Sequence, residues 1–392
     1  MPRTVWALGL VSLLMDTSSE IIHGLLPVFL VVVLGSTYTT VGLIEGVGEA
    51  MVLVLKVFAG PLSDWWGKRK PLVLAGYSLA ALSKPLFALA PTVGWVFGAK
   101  IFDRVGKGIR GAPRDALIAD VVPEDLRGRA FGLRQSLDTV GAVLGPLLAI
   151  GLMQAFDGDY RRVFWMAVIP ALLCVIVIVA GVQDSPNHGE NNSRKKIQFS
   201  SVREFKAAFW VVALAGGLSQ LARFSESFLI LKAHQGGLAL SLAPVVLVAM
   251  NIVYAVSAYP IGWLSDKMGR TGMVSVGLLI LAIADAVLGS AQGLVQIFAG
   301  IALWGLHLGF TQGTLAALVA DTCPEQFRGT AYGLFNLFSA VALFIASALA
   351  GYLWDKQGSQ LTFYVSGGLA LISLAIFAFC RRIFALDKVP HT

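Results

Sequence analysis

The chain contains ALIADVVPEDLRGRAFGL at residues 116–133 and a second version of it, ALVADTCPEQFRGTAYGL, at residues 317–334. The two stretches align without gaps, agree at 11 of 18 positions and lie at an offset of 201 residues. A shorter match at nearly the same offset pairs GPLSD at 60–64 with GWLSD at 262–266. Two separate matches at nearly one offset predict that one structural unit is used twice, in the same direction.

The composition places this repeated unit in a membrane. Of the 392 residues, 56% are hydrophobic and only 14% are charged, and the mean hydropathy is +0.75. A soluble protein carries about a quarter charged residues, so the composition leaves little for a soluble catalytic domain. The long apolar runs exclude the short alternating strands of a transmembrane barrel, and the spans must therefore be α-helices.

Apolar stretches of bilayer-crossing length occur twelve times. They fall at 5–33, 40–62, 71–91, 93–115, 129–154, 163–182, 207–232, 240–264, 272–291, 294–319, 330–353 and 361–383. We therefore expect an all-α membrane protein with twelve transmembrane helices in two pseudo-symmetric six-helix bundles, at 1–182 and 207–392, joined by a cytoplasmic linker at 183–206. Parallel duplication of a helical bundle is typical of transporters.

The basic residues predict the orientation. With the N-terminus inside, seventeen of the thirty Lys and Arg residues fall in cytoplasmic loops and four fall outside. Because short loops rich in Lys and Arg stay in the cytoplasm, we expect both termini and the linker to be cytoplasmic, in a bacterial inner membrane. The net charge of +7 then reflects topology, and no nucleic-acid partner is expected.

The repeated loop resembles a motif of the major facilitator superfamily, and the resemblance covers essentially the whole chain. The matching residues are Gly60, Leu62, Ser63, Asp64, Gly67, Lys68 and Arg69, with Trp65 replacing the usual Arg, and in the second copy Gly262, Leu264, Ser265, Asp266, Lys267, Gly269 and Arg270. In the family this loop latches the cytoplasmic side. The resemblance therefore implies gating roles for Asp64, Arg69, Asp266 and Arg270, with Arg127 and Arg328 as candidate partners.

The predicted fifth helix resembles the glycine motif of the family's drug:proton antiporters. Gly132, Gly141, Gly145 and Pro146 are in register, whereas the final glycine pair is replaced by Ala149 and Ile150. Among relatives this motif marks exporters that exchange substrate for protons. Physically, glycines let two helices approach closely and proline kinks a helix. Gly141, Gly145 and Pro146 are therefore gating candidates, although ordinary close packing would produce the same pattern.

Acidic residues within the first two predicted helices are the candidates for proton coupling. Asp16, Glu20 and His23 share one face of the first helix, and Glu45 and Glu49 are one turn apart on the second. An acid desolvated in a helical bundle can bind and release a proton. A second interpretation stays open, in which single acids only neutralise buried cations as fixed ion pairs. The cations concerned are Lys56, Lys84, Lys100 and Arg104.

A charged stripe on the predicted fourth helix, together with polar residues elsewhere in the spans, predicts the substrate contacts. The stripe contains Lys100, Asp103, Lys107, Arg110 and Arg114 within about 80° at 100° per residue. Charges this deep in a span favour a watery cavity or a paired carboxylate. The candidate substrate-binding residues are Lys100, Asp103, Arg104, Arg134, Asp138, Arg223, Glu226, Tyr254 and His307. A lone histidine such as His307 is also typical of hydrogen-bonded packing.

The sequence contains no phosphate-binding loop and no Cys/His cluster with metal spacing, so we expect neither an enzyme nor a bound cofactor or metal. The leading hypothesis is a monomeric, proton-coupled secondary transporter that exports a small amphiphilic molecule or drug by alternating access. Its expected partners are the small-molecule substrate, protons and the lipid bilayer. An uptake symporter for an anionic metabolite or siderophore, or a transporter-like sensor, remains an alternative.

Overall fold

The computed structural model describes residues 1–66, 68–123, 126–184, 205–324 and 327–384; within these, the side chains of residues 64, 266–268 and 380–384 are not described. The described chain is built from helices. In chain order they are α1 (Arg3–His23), α2 (Leu26–Val28), a π-helical turn (Phe29–Val33), α3 (Tyr38–Trp66), α4 (Lys70–Leu89), α5 (Val93–Val121), α6 (Arg127–Ala155), α7 (Tyr160–Gly181), α8 (Ala207–Ser219), a 3-10 turn (Gln220–Ala222), α9 (Ser227–Gln235), a 3-10 turn (Leu240–Leu242), α10 (Val245–Met268), α11 (Arg270–Ser290), α12 (Leu294–Asp321) and α13 (Arg328–Phe384).

Nine stretches of the described chain are long and apolar enough to cross a membrane. The helices α3 and α5, which carry several ionisable residues, are not among them, and α13 counts as one stretch although Gly358 interrupts its helical backbone. The all-α membrane fold predicted from the sequence is confirmed. The number of twelve spans is reached only when α3, α5 and the second part of α13 are added to the nine.

The helices group into two compact units. Unit 1 contains α1, α2, α4 to α7, the part of α3 from Met51 onward, and Leu240–Val245; unit 2 contains Ser36–Ala50 and α8 to α13, with α10 counted from Val246. The predicted boundaries at 182 and 207 stay predictions, and most of the predicted linker lies outside the described residues.

Each unit has an apolar core of its own. In unit 1 the core is formed by α1, α4, α5 and α7, with Leu8, Tyr77 and Ile178 at the centre. In unit 2 it is formed by α8, α11, α12 and α13, with Phe209, Leu278 and further apolar side chains. Large apolar side chains also point outward, such as Val256 and Phe379. Outward apolar surface is expected for a helical bundle whose solvent is lipid.

Two spans are interrupted, and the interruptions bring polar backbone into the units. The first span continues from α1 through Gly24 into the short helix α2, which has Pro27 near its N-terminus. A π-helical turn follows α2. The seventh span ends its first helix at Ser219, makes a 3-10 turn and begins again at Ser227. Backbone groups at such breaks need partners from elsewhere in the protein.

Candidate functional site

Unit 1 contains a buried ionic cluster formed by α1, α4 and α5. The ammonium group of Lys84, which is fully buried, lies 2.7 Å from Asp103 Oδ1 and 2.9 Å from Ser19 Oγ. His23 lies 3.6 Å from the other oxygen of Asp103 and 3.7 Å from a carboxylate oxygen of Glu20. The structure thus joins Asp103, predicted as a substrate contact, to Glu20 and His23, predicted for proton coupling.

The direct pair between Lys84 and Asp103 gives Lys84 a carboxylate partner on α5, whereas the fixed ion-pair interpretation expects an acid of the first two helices. Both side chains are buried, and each supplies the charge that the other needs in a low-dielectric interior. The Ser83 hydroxyl oxygen also lies 3.4 Å from the same carboxylate oxygen, although it lies closer, 2.7 Å, to the Ala80 carbonyl oxygen. Asp103 is therefore held by several groups of unit 1, which makes it a structural anchor for α4 and α5.

The charged stripe of α5 is mostly buried within unit 1. Lys100, Arg104 and Arg110 are buried, whereas Lys107 is exposed. The guanidinium of Arg110 stacks over the ring of Tyr77 on α4, 4.3 Å from its centroid, a favourable cation–π contact. The two helices approach closely beside it because Gly76 has no side chain. A Cβ added at Gly76 would lie 2.8 Å from the Gly106 carbonyl oxygen.

Two carboxyl groups meet where α1 packs against α6. The side chains of Asp16 and Asp138 lie close enough to interact directly, and Arg134 Nη1 lies 3.6 Å from an Asp138 carboxylate oxygen on the same helix. Two ionised carboxylates in close contact repel each other, and a proton shared between them relieves that repulsion. The cationic side chains of Arg114 and Lys107 also act on this pair. Such an arrangement can hold and release one proton.

The glycines of α6 allow this approach. A Cβ at Gly141 would lie 2.6 Å from the Leu13 carbonyl oxygen, and one at Gly145 would lie 2.6 Å from Glu20 Cβ. These two glycines therefore lie directly against the helix that carries Asp16 and Glu20. Gly132, the first glycine of the motif, has open space around it. Pro146 is buried within α6 beside them.

Unit 2 has a polar cluster at the break between α8 and α9. Arg223, in extended backbone, lies 3.5 Å from Glu226. With the amide of Gln312 turned so that its oxygen faces Arg223, that oxygen accepts hydrogen bonds from both guanidinium nitrogens at 3.2 and 3.3 Å, and the amide nitrogen donates to the Tyr254 hydroxyl at 2.9 Å. The structure thus brings together three of the predicted substrate-binding residues and adds Gln312.

The remaining predicted residues of the spans lie apart from these clusters or in packing contacts. His307 is buried, and its Nδ1 lies 2.8 Å from the Gly277 carbonyl oxygen, which matches the alternative of a hydrogen-bonded packing residue. Glu45 and Glu49 lie on the first part of α3, in unit 2, where Glu45 is buried and Glu49 is partly buried. Whether they couple to protons stays a prediction.

The loop arginines form the same ion pair in each unit. Arg69 Nε lies 2.5 Å from an Asp120 carboxylate oxygen, and Arg270 Nη1 lies 2.8 Å from one of Asp321. Arg127 and Arg328 are the first residues of α6 and α13. The predicted roles of Asp64 and Asp266 concern side chains outside those that the structure describes, so the predicted latch stays a prediction.

Comparisons with known proteins agree with this architecture. The profile described as Major Facilitator Superfamily matches residues 8–247 and 228–390. The chain belongs to the major facilitator superfamily. An MFS-type transporter of Methanocaldococcus jannaschii is 32% identical over 390 residues, covering 96% of this chain and 94% of the relative. Membership confirms the predicted multi-pass membrane transporter and makes the protein a transporter rather than an enzyme.

Two further proteins are similar to this transporter. The multidrug resistance protein MdtH of Photorhabdus laumondii is 25% identical over 371 residues, covering 90% of this chain and 88% of the relative. The crystal structure of a bacterial homolog of the human lysosomal transporter Spinster, inward-facing and occupied, has a TM-score of 0.82 at 16% identity and covers 99% of this chain and 98% of that one. This second likeness concerns the fold.

Sequence reasoning missed three residues that this superfamily member uses to hold its polar clusters. Lys84 is one of several cations that the sequence places in apolar stretches, and Asp120 and Asp321 lie inside the repeated stretch. Their conservation between the two copies, at the same offset as Arg69 and Arg270, was the available signal. Gln312 carried no signal, because a lone glutamine in a span has no periodic partner in the sequence.

Proposed function

We propose that this transporter exports a small amphiphilic molecule, such as a drug, in exchange for protons across a bacterial inner membrane by alternating access. The observation that carries the proposal is the close approach of the Asp16 and Asp138 carboxyl groups where α1 packs against α6. The glycines of α6 that hold α1 against it, and the similarity to MdtH, a multidrug resistance protein, support export.

The carboxyl pair accounts for the proton half of the exchange. Asp138 faces Arg134 and Arg114, and it therefore carries the negative charge, while Asp16 carries the shared proton. Two like charges in close contact inside a protein cannot both stay ionised without a large cost. Loss of the proton to water then places two negative charges together between α1 and α6, which favours a different packing of these helices and so links the proton to conformation.

Unit 2 supplies the polar groups that would bind the exported molecule. The cluster of Arg223, Glu226, Gln312 and Tyr254 offers both donors and acceptors, and it lies at a helix break where backbone groups are also available. The ring of Trp304 lies 5.9 Å from the Arg223 guanidinium. Trp304 is fully buried and therefore backs the cluster, whose polar groups are of the kind that orient an amphiphilic molecule.

Transport direction tests this proposal. Inside-out membrane vesicles with an acidic interior would accumulate the amphiphilic cation ethidium when they contain the transporter, and vesicles with equal pH on both sides would not. The Asp138→Asn variant should lose the accumulation. Asp157→Asn, which changes an aspartate in the turn between α6 and α7, is the matched control and should keep it. Gradient-independent accumulation by the parent would refute proton exchange.

A second candidate, proton-coupled uptake of an anionic metabolite, is favoured by the cationic face of α5. Lys100, Arg104, Arg110 and Arg114 outnumber the acids on that helix, and the exposed Lys107 adds a further positive charge. In this case right-side-out vesicles with an acidic exterior would accumulate a carboxylate substrate. Absence of flux for both substrate classes would favour a sensor.

The proposed topology has both termini in the cytoplasm and one chain as the working unit.

A further inference from the structure

Asp285 on α11 is a fully buried acid that none of the roles described above uses. Its Oδ2 lies 2.6 Å from the hydroxyl oxygen of Ser366 on α13. Within the described residues its Oδ1 has no hydrogen-bond partner, and no lysine or arginine forms an ion pair with it. A carboxylate buried without a counter-charge is costly in a membrane protein. The side chain therefore needs another way to be neutral.

The hydrogen bonds of Ser366 indicate how the Asp285 side chain becomes neutral. Its oxygen lies 2.6 Å from Asp285 Oδ2 and 2.7 Å from the backbone carbonyl oxygen of Ala222. A serine hydroxyl has one proton, and a carbonyl oxygen has none. With Asp285 ionised, two acceptors would compete for this single proton, and one short oxygen–oxygen contact would be repulsive. With Asp285 protonated, Asp285 donates to Ser366 and Ser366 donates to Ala222, so that both contacts are hydrogen bonds.

The Ala222 carbonyl lies at a place where the backbone needs a partner. Ala222 ends the 3-10 turn between α8 and α9, and the next residue, Arg223, has extended backbone angles. The normal helical acceptor pattern is thus broken at this point, and Ser366 supplies a donor to the Ala222 carbonyl. The same break contains Arg223, whose guanidinium contacts Glu226 and Gln312.

The helices α12 and α13 pack against α11 and, like the helix break, carry further titratable groups. From α12, the indole N–H of Trp304 faces the carboxyl group without hydrogen-bond geometry, and His307 is one turn further along. From the break, the Arg223 guanidinium lies 5.9 Å from the centroid of the Trp304 ring. From α13, Tyr364 packs against Gly289, and Lys232 on α9 donates to Ser359. None of these cations pairs directly with Asp285 in the described chain.

We propose that Asp285 is a second proton-binding site, whose proton holds the break between α8 and α9 in place through Ser366 and Ala222. Release of the proton to water turns the Ser366 hydroxyl toward the new carboxylate and leaves the Ala222 carbonyl without its donor. The segment from Ala222 to Glu226 then changes its conformation. Arg223 on this segment is the cation positioned to move. The site lies in unit 2 and is independent of the carboxyl pair of unit 1, so it goes beyond the proposed export function.

Infrared spectroscopy of the purified full-length protein in D2O tests the protonation at neutral pH without a substrate. The parent should show a carboxylic-acid C=O stretch that is lost in Asp285→Asn. The same band should shift in Ser366→Ala, which removes its hydrogen-bond partner, and should stay in place in Ser373→Ala, a buried serine on the same helix. Spectra of parent and Asp285→Asn that are identical in this region would overturn the proposal, as would an unshifted band in Ser366→Ala.

Hydrogen exchange at residues 220–226 tests the link to the helix break at a single pH. Asp285→Asn keeps a donor toward Ser366, and its exchange in this segment should equal that of the parent. Ser366→Ala removes the donor to Ala222 and should accelerate exchange there severalfold, whereas Ser373→Ala should not. Equal protection of the segment in Ser366→Ala and Ser373→Ala would show that the break does not depend on this contact and would overturn that half of the proposal.

Discussion

Arg69 pairs with Asp120 in unit 1, and 201 residues later Arg270 pairs with Asp321 in the same way in unit 2. In each unit the arginine lies at the start of one helix and the aspartate at or near the end of the next helix. The duplication seen in the sequence is thus a duplication of a contact. Both pairs fasten the ends of helices, where backbone groups lack helical partners.

The two pairs differ in burial, and this difference predicts unequal effects of the same substitution. The Arg69 side chain is only 8% exposed, whereas that of Arg270 is 26% exposed. Removing one partner of a buried pair costs on the order of 3 kcal/mol, while a more exposed pair contributes about 1 kcal/mol or less. We expect Asp120→Asn to lower the thermal stability of the detergent-solubilised protein clearly more than Asp321→Asn. Equal losses would contradict the assigned burial.

The close contact between α1 and α6 predicts a position-specific response to added methyl groups. Gly145→Ala places a Cβ 2.6 Å from Glu20 Cβ and 2.8 Å from the Thr17 carbonyl oxygen, so the helices must separate, at a cost of about 1–3 kcal/mol. Gly132→Ala, on the same helix, meets open space. Thermal unfolding should therefore show a loss for the first variant and none for the second. A stable, fully active Gly145→Ala protein would rule out the close contact.

The buried pair of Lys84 and Asp103 predicts coupling between two substitutions. Lys84→Met leaves the Asp103 carboxylate buried without its ammonium and should destabilise unit 1 by roughly 3 kcal/mol. Adding Asp103→Asn removes the stranded charge and should restore part of the stability, although His23 also contacts Asp103. Thermal unfolding of both single variants and the double variant gives the coupling energy. Strictly additive losses would show that the two groups do not interact.

Much of the fold could be predicted from the sequence because membranes restrict the possibilities. Every backbone polar group in lipid must be paired, so apolar length alone predicts helices, and the repeat predicts their grouping. The break after Ser219 was missed, since the apolar stretch 207–232 continues through it without a proline. Its partner groups, such as the hydroxyl of Ser366, come from helices far away in the sequence.

The candidate site was predictable only in part, for a related reason. Helical spacing brings Asp16, Glu20 and His23 to one face of α1, but it contains no information on what that face meets. The partners Asp138 and Lys84 are on other helices, and their identity depends on helix packing. The glycine pattern of α6 was the single sequence feature that predicted a close helix contact, and the structure shows that α1 is its partner.

The most direct test of the central claim is proton movement through the pair of Asp16 and Asp138. Proteoliposomes with an acidic interior and an internal pH-sensitive dye report proton efflux when a transported amphiphile is added outside. We expect such efflux from the parent and from Asp157→Asn, and none from Asp138→Asn, although Asp138→Asn should still exchange labelled for unlabelled substrate at equal pH. Substrate-driven proton efflux of parental size in Asp138→Asn would contradict the account.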